Sequence, residues 1–373
     1  MNNILLTTSK NYHLYLGFPF CKKKCSFCHY VDNISFGNNN IGDDYLNLLL
    51  KQLEEALKLN KDKNLLSIYF GGGTPSLLSC AQLKKIKSLI ETYSEPIEIT
   101  IEIYPHNWNK SYLDLNFFTR YSIGVQSIDK NTLIKYNRKD YDWIDILRII
   151  KDIKDFDQDL NINLDFLFTE EIAIKDIRNI NRVMVESIVF YPNTKGRGIE
   201  RLSNVYQTLD KINVNLNNYN SLYRSKHIFT NKNQPYFSLY AKNEYEIFDD
   251  IIGIGDNSIS SISNKSFLSL YSKYDYYYKL RHTNRYLISL IESSTTAMDL
   301  KKILKIDDEF LKYTKKYKDV YYIPQENYNQ FYVFLLKKYS VFEAVAFLNI
   351  IYYGDKSSVY PSIFTTTSSD QDH

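Results

Sequence analysis

Short apolar runs alternate with longer segments of helical periodicity from residue 12 to residue 191. The helical segments predict helices at 44–59, 80–93, 143–153 and 172–184. The apolar runs predict six strands, at 13–18, 65–70, 97–103, 121–125, 162–168 and 187–191. Because strands that alternate with helices form parallel sheets, the sequence predicts an α/β fold of about six βα units, which is three-quarters of a TIM barrel.

The pattern changes after about residue 195. Residues 204–233 are polar and rich in Asn, which predicts a loop-bearing connection. Further on, helices are predicted at 284–291, 298–304, 307–317 and 328–338, with the apolar run 320–323 among them. The domains predicted from this organisation are a core barrel at 1–195, an extension that closes the barrel at 196–270, a small helical, winged-helix-like accessory domain at 271–364, and a disordered tail at 365–373.

Composition and charge exclude several classes of protein. Hydrophobic residues make up 44% and charged residues 24%, which is typical of a globular chain. The net charge is only +3 and no dense basic block occurs, so we expect no nucleic-acid partner. No apolar run reaches the roughly 18 residues that a membrane helix needs, and no secretory signal is seen, so we expect a cytoplasmic protein.

Three of the four cysteines, Cys21, Cys25 and Cys28, stand within eight positions in the spacing CxxxCxxC. Thiolates are the soft ligands that iron–sulfur clusters require, and one loop can supply three of them. Three ligands leave one iron of a 4Fe-4S cluster open, and an open metal position binds a further molecule. The alternative is a structural zinc site with His29 or Cys80 as fourth ligand, although the second CxxC-like half of such sites is missing.

Two other features stand at predicted strand ends, where the loops of such a fold converge on one mouth. Gly71, Gly72 and Gly73 follow a strand directly, so the backbone there can approach a ligand closely, or can simply make a tight βα turn. Glu102 is an acid in an apolar alternation, and a buried carboxylate is costly without a partner. It either serves a site or faces solvent.

The segment YLGFPFCKKKCSFC at 15–28 resembles the cluster loop of the radical S-adenosylmethionine (SAM) superfamily, in the form found in oxygen-independent coproporphyrinogen III oxidases and their haem-chaperone relatives. Later segments are similar to successive motifs of that family, in order: GGGTPS at 71–76, ITIE at 99–102, SIGVQS at 122–127, NR at 137–138, NLD at 163–165 and DIIGIG at 250–255. The resemblance covers about residues 12–260. An ordered series is far more specific than the cysteine spacing alone.

The resemblance implies a 4Fe-4S cluster held by the three cysteines, together with one or two SAM molecules. It also implies a SAM site lined by Tyr15, Gly71, Gly72, Gly73, Thr74, Glu102, Gln126, Arg138 and Asp165. Within it, Arg138 is suited to a carboxylate and Asp165 to ribose hydroxyls. The implied chemistry is reductive cleavage of SAM to a 5'-deoxyadenosyl radical that abstracts hydrogen from an organic substrate, with flavodoxin or ferredoxin as electron donor.

Several positions depart from the family pattern. Tyr30 replaces a fourth cysteine, Gly17 replaces a histidine, and 168–170 replace a Gly-Leu-Pro segment. The His-Asn and Tyr-Trp pairs of the haem chaperones are replaced at 241–242 and 245–246. These differences predict a divergent radical SAM enzyme with a small organic substrate, which it alters by oxidation or by methyl transfer. A haem chaperone that binds haem or porphyrin, or a structural metal-binding protein, is the alternative.

Overall fold

The structure is a computed structural model that describes residues 4–28, 35–36, 40–168, 174–192, 209, 211–222, 227–247, 249–262, 265–272, 275–281, 312–313, 315–317, 320–322, 327 and 330. Its strands are β1 Asn11–Phe18, β2 Phe20–Cys21, β3 Ser35–Phe36, β4 Asn64–Gly72, β5 Glu98–Ile103, β6 Arg120–Gln126, β7 Asn161–Phe168, β8 Ser187–Pro192, β9 Tyr219–Ser221, β10 Ile228–Asn231, β11 Asp250–Ile254, β12 Ile259–Ile262, β13 Lys265–Tyr271, β14 Tyr276–Arg281, β15 Lys315–Tyr317 and β16 Val320–Tyr322.

The six predicted strands form the centre of one sheet. They are β1, β4, β5, β6, β7 and β8, which lie side by side in chain order and pair in parallel. Outside them, β11 joins β1 in parallel and β12 to β14 continue that edge antiparallel, while β10 and β9 extend the other edge. The α/β fold with a partial parallel barrel is therefore confirmed.

Helices follow most of the central strands, as alternating βα units require, and one more helix, the last named below, precedes β11. They are α1 Asp43–Leu59, α2 Cys80–Tyr93, α3 Lys130–Lys135, α4 Trp143–Phe156, α5 Ile174–Ile180 and α6 Leu239–Lys242. Capping boxes begin two of them, Ser79 with Gln82 at α2 and Asp142 with Asp145 at α4. Their apolar faces join the outer face of the sheet in one hydrophobic core.

Two predictions about the second half of the chain were wrong in part. The interpretation of 204–233 as a loop-bearing connection missed β9 and β10, which form because Ile228 and Phe229 add to the exposed edge of β8 and are buried there. Within the predicted helix at 307–317, Lys315–Tyr317 instead forms β15, because it pairs antiparallel with Val320–Tyr322. That pairing agrees with the predicted apolar run at 320–323.

Other predictions concern parts of the chain that are not described. The helices predicted at 284–291 and 298–304 and the tail at 365–373 lie outside the described residues, as does all but Gln330 of the helix predicted at 328–338. The division into domains stays a prediction. Within the part of the chain that is described, no helix is both long and apolar enough to cross a membrane.

Candidate active site

The three clustered cysteines lie on the loop that leaves the carboxyl end of β1. All three are free thiols; Cys25 is buried and the other two are half-buried. The Cys21 sulfur lies 3.2 Å from the hydroxyl of Thr74, and the Cys28 amide donates to the carbonyl of Cys25 at 3.2 Å. Burial raises the pKa of the Cys21 thiol to about 11, so binding a metal there releases a proton.

The donor set fits an iron–sulfur cluster. Among the described residues, no three Cys, His, Asp or Glu side chains converge on one metal position. In a four-iron cluster each cysteine binds a different iron, so the three sulfurs need not meet at a point. The loop chemistry and its place at the carboxyl ends of the strands therefore fit a cluster held by Cys21, Cys25 and Cys28.

The cysteine loop is tied to the last turn of α3. Ser26 donates from its amide to the carbonyl of Tyr136 at 3.2 Å and from its hydroxyl to the carbonyl of Lys135 at 2.8 Å. The side chain of Asn137 donates to the carbonyl of Lys24 at 2.7 Å. Donors of the cysteine loop thus bind carbonyls that the end of a helix leaves without partners, and these hydrogen bonds hold the shape of the loop.

Asn137 and Arg138 are the two residues that follow Tyr136, the C-cap of α3. Asn137 has a φ of 58°, its amide donates to the carbonyl of Ile134, and the Arg138 amide donates to the carbonyl of Leu133. This is the hydrogen-bonding pattern of a Schellman motif, in which Asn is an accepted residue for the left-handed position. The cap turns the chain back over the cysteine loop and directs the Arg138 side chain at it.

Glycines 71–73 allow the end of β4 to pack closely beside the cysteine loop. A Cβ on Gly73 would lie 2.5 Å from the carbonyl oxygen of Phe20 and 2.8 Å from that of Phe18, and the Gly73 amide donates to Phe18 at 2.9 Å. Gly72 has a φ of +106°, which disfavours any other residue. The glycines therefore have a packing role in bringing β4 against the cysteine loop, and their contact with SAM stays a prediction.

Glu102 points into the barrel at the carboxyl end of β5. It accepts a hydrogen bond from the hydroxyl of Tyr69 at 2.9 Å, and Tyr69 in turn stacks on Tyr15 with ring centroids 6.0 Å apart. Burial, with the neighbouring carboxyl of Asp165, raises the pKa of Glu102 to about 8. Glu102 is therefore a half-buried carboxyl group held by Tyr69, and not a freely exposed one.

Asp165 lies on β7, two strands away from β5, in a network of polar side chains. It accepts from Ser122 at 2.6 Å and from Asn163 at 2.7 Å, and Asn163 accepts from Ser187 at 2.8 Å. Burial raises the pKa of Asp165, against the lowering effect of the Ser122 hydrogen bond. The network fixes the carboxylate, which is the property that recognition of a diol needs.

Gln126 and Arg138 meet above Gly124. A Cβ on Gly124 would lie 3.1 Å from the Gln126 side-chain nitrogen and 3.5 Å from Nη1 of Arg138. Gln126 has a φ of 64°, and the pairing of β6 with β7 shifts register at this point. The structure thus gathers all the predicted site residues at one end of the sheet, although their contacts with SAM stay predictions.

Sequence reasoning missed three aromatic or cationic members of this cavity. Tyr240 of α6 contacts Tyr69, with ring centroids 4.9 Å apart, and Arg120 is a buried cation that lowers the pKa of both Glu102 and Asp165. Tyr69 is the third. Strand alternation could have found Tyr69 and Arg120, because they stand two residues from Gly71 and Ser122 on the same face. Nothing local indicates Tyr240.

The structure explains one of the departures from the family pattern. A Cβ on Gly17 would lie 2.1 Å from the hydroxyl of Ser258, which donates to the carbonyl of Ile254 at 2.8 Å. Ser258 therefore occupies the space that a histidine at position 17 would need. His29 and Tyr30 lie outside the described residues, as do Thr169 and Glu170.

The raised pKa of Glu102 makes a testable prediction about stability. The folded chain keeps a proton that the unfolded chain releases above pH 4.5, so the free energy of unfolding should fall between about pH 5 and 8. The Glu102→Gln variant, which cannot ionise, should show a shallower fall in urea titrations across this range. Glu54→Gln, at an exposed glutamate of α1, is the control. Equal slopes for wild type and Glu102→Gln would contradict the assignment.

The chain is similar to known proteins in sequence. The Radical SAM superfamily profile matches residues 15–172. Over 285 residues the chain is 30% identical to the heme chaperone HemW of Buchnera aphidicola subsp. Schizaphis graminum, covering 67% of this chain and 70% of that protein. It is 31% identical over 132 residues to the oxygen-independent coproporphyrinogen III oxidase of Salmonella typhimurium, covering 34% of this chain and 29% of that protein.

The fold is also similar to that of a solved structure. Coproporphyrinogen III oxidase (HemN) from Escherichia coli superposes with a TM-score of 0.62 at 16% identity, covering 94% of this chain and 91% of that one. At this level of identity the likeness shows a shared fold alone. It agrees with the partial barrel described above.

Proposed function

Since the chain belongs to the radical SAM superfamily and is homologous to HemW and to oxygen-independent coproporphyrinogen III oxidase, we propose that it is an enzyme that cleaves SAM reductively and takes hydrogen from a small organic substrate. The cofactors of this superfamily are a 4Fe-4S cluster and SAM. Together they supply a carbon radical strong enough to abstract hydrogen from an unactivated position. The outcome, oxidation or methyl transfer, depends on the substrate.

One observation carries the proposal: a cysteine loop, a triglycine turn and two interior carboxyl groups lie together at the carboxyl ends of consecutive parallel strands. Thr74 contacts Cys21, and Gly73 bonds the strand that leads into the loop. Glu102 and Asp165 are close enough for the charge of Asp165 to raise the pKa of Glu102. A ligand that spans the mouth of the barrel would contact cysteine thiols, glycine backbone groups and carboxyl groups within one cavity.

In this proposal the chain's own residues position the reactants. Cys21, Cys25 and Cys28 hold the cluster, and the glycine turn lets backbone approach SAM. Asp165, fixed by Ser122 and Asn163, accepts from ribose hydroxyls. The electron donor is a flavodoxin- or ferredoxin-type protein. The aromatic side chains of the cavity wall limit water, which a radical reaction requires.

The test is anaerobic incubation of the iron-loaded protein with SAM and dithionite. We expect 5'-deoxyadenosine by chromatography, in amounts that rise when a true substrate is added. Coproporphyrinogen III is the first substrate to try, because one group of relatives is named for it. No 5'-deoxyadenosine from protein with a full cluster and a panel of substrates would contradict the proposal.

A haem chaperone is the second candidate, favoured by the length of the alignment with HemW, which is more than twice that with the oxidase. Against it, Ala241 and Lys242 stand in α6 where chaperones of the family carry His-Asn. Haem added anaerobically should produce a Soret band that survives gel filtration if the chain carries haem. Colourless protein that binds only zinc would instead favour a structural metal site.

A further inference from the structure

Arg138 is directed at a cysteine sulfur. Its Nε donates to Sγ of Cys25 at 3.0 Å, and its Nη1 lies 3.4 Å from the carbonyl of Gly124. Within the described part of the chain, Arg138 has no carboxylate within 4.0 Å, although Asp140 is only two residues away and pairs with Lys23. The guanidinium therefore forms no ion pair there, and its charge acts on the Cys25 sulfur and, at longer range, on Glu102, whose pKa it lowers.

Aromatic rings hold the guanidinium in place. The Arg138 guanidinium carbon lies 4.4 Å from the ring centre of Tyr104 and 5.5 Å from that of Phe27. Tyr104 is itself fixed, because its hydroxyl donates to Asp140 at 2.6 Å. A cation held over aromatic faces and shielded from water interacts more strongly with a neighbouring anion than an exposed one does.

The backbone fixes the same geometry from the other side. The Schellman motif at the end of α3 fixes the backbone position of Arg138. The side chain of the neighbouring residue, Asn137, donates to the carbonyl of Lys24 in the cysteine loop. Hydrogen bonds therefore link the cysteine loop directly to the segment that carries the arginine. The contact between Arg138 and Cys25 therefore rests on the fixed backbone of both segments, and not only on the side-chain rotamer of Arg138.

Hydrogen bonds to the ligating sulfurs and the net charge near a cluster set its reduction potential. A donor and a positive charge on a cysteine sulfur stabilise the reduced cluster, which carries one more electron, relative to the oxidised one. We infer that Arg138 is a positioning residue that acts through Cys25 to raise the reduction potential of the cluster. This inference rests on the proposed role of Cys25 as a ligand.

The role differs from the one that the family resemblance implies for Arg138, which is to bind the carboxylate of SAM. The two roles are separable, because an effect on the cluster itself persists when SAM is absent. The measurement is therefore a redox titration of the cluster without SAM, followed by electron paramagnetic resonance of the reduced state. Iron and sulfide content are determined on the same samples.

Wild type, Arg138→Gln, Arg138→Lys and Arg148→Gln are compared. Arg148 lies on α4, where it pairs with Asp145 in solvent, so its loss controls for removal of a positive charge. For Arg138→Gln we expect the ratio of reduced to oxidised cluster at a fixed solution potential to fall about tenfold, which is about 59 mV for a one-electron couple. Arg138→Lys, which keeps the charge, should lie between, and Arg148→Gln should match wild type.

An unchanged potential in Arg138→Gln with full iron would overturn the inference. So would loss of iron in both Arg138 variants, because the residue would then be needed for the shape of the loop and not for the charge on the sulfur. Wild-type protein without iron would contradict the proposed function instead. The iron content of wild type thus distinguishes the two failures.

Discussion

The Cys25→Ala variant is expected to contain almost no iron and to lack the broad brown absorbance of an iron–sulfur cluster, where wild type holds about four irons per chain. Cys25 is the most buried of the three cysteines and the one whose sulfur accepts from Arg138. Without it only two cysteines of the loop remain, which is too few to retain a cluster against chelators. Formation of 5'-deoxyadenosine should fall to background.

Cys80→Ala is the matched control for this variant. Cys80 is a free and half-buried cysteine that lies at the first position of α2, outside the cysteine loop. Its iron content and absorbance should equal those of wild type. Loss of metal in Cys80→Ala would revive the four-ligand zinc interpretation, and iron and colour in Cys25→Ala would contradict the ligand assignment.

The second large effect is expected at Gly73. An alanine there would place its Cβ 2.5 Å from one backbone oxygen and 2.8 Å from another, and backbone atoms cannot move aside as a flexible side chain can. Overpacking of this kind costs about 1–3 kcal/mol of folding free energy. Because Phe18 and Phe20 lead directly into the cysteine loop, we also expect Gly73→Ala to bind less iron and to bind SAM weakly.

Gly42→Ala is the control, since nothing lies within 4 Å of a Cβ at Gly42. Gly42 is the N-cap of α1, so its replacement should cost only about 0.5 kcal/mol through the weaker capping preference of alanine. Urea titration gives the stability of both variants, and iron analysis gives cluster occupancy. A Gly73→Ala variant as stable and as iron-rich as Gly42→Ala would contradict the packing argument.

The sequence was sufficient for features that depend on neighbouring residues. The central strands could be predicted because apolar runs alternate with amphipathic helices, and each of the six was found in its predicted place. The cysteine loop is likewise local, since all three thiols fall within eight positions. The short helix α3 and the motif that ends it were not predicted, although an Asn just past a helix end is a known stop signal.

Features built from distant segments could not be read in this way. Glu98 in β5 accepts from Tyr236, Ser238 and Leu239, more than a hundred residues later, and this bonding holds α6 so that Tyr240 reaches the cavity. The space at Gly17 is filled by Ser258, which follows the neighbouring strand β11 but lies more than two hundred residues later in the chain. No periodicity or motif within either segment indicates its partner.

The sequence by itself thus determined the parallel α/β core and the cysteine loop, because these follow from local periodicity and spacing, and its resemblance to a family supplied the list of site residues. Only the tertiary structure decided that Arg138 faces the sulfur of Cys25, that Glu102 and Asp165 share one interior, and that Gly73 leaves no room for a side chain. The physical reason is that hydrogen bonds, charge interactions and close packing act over a few ångströms in space. Residues brought that close can lie anywhere in the chain.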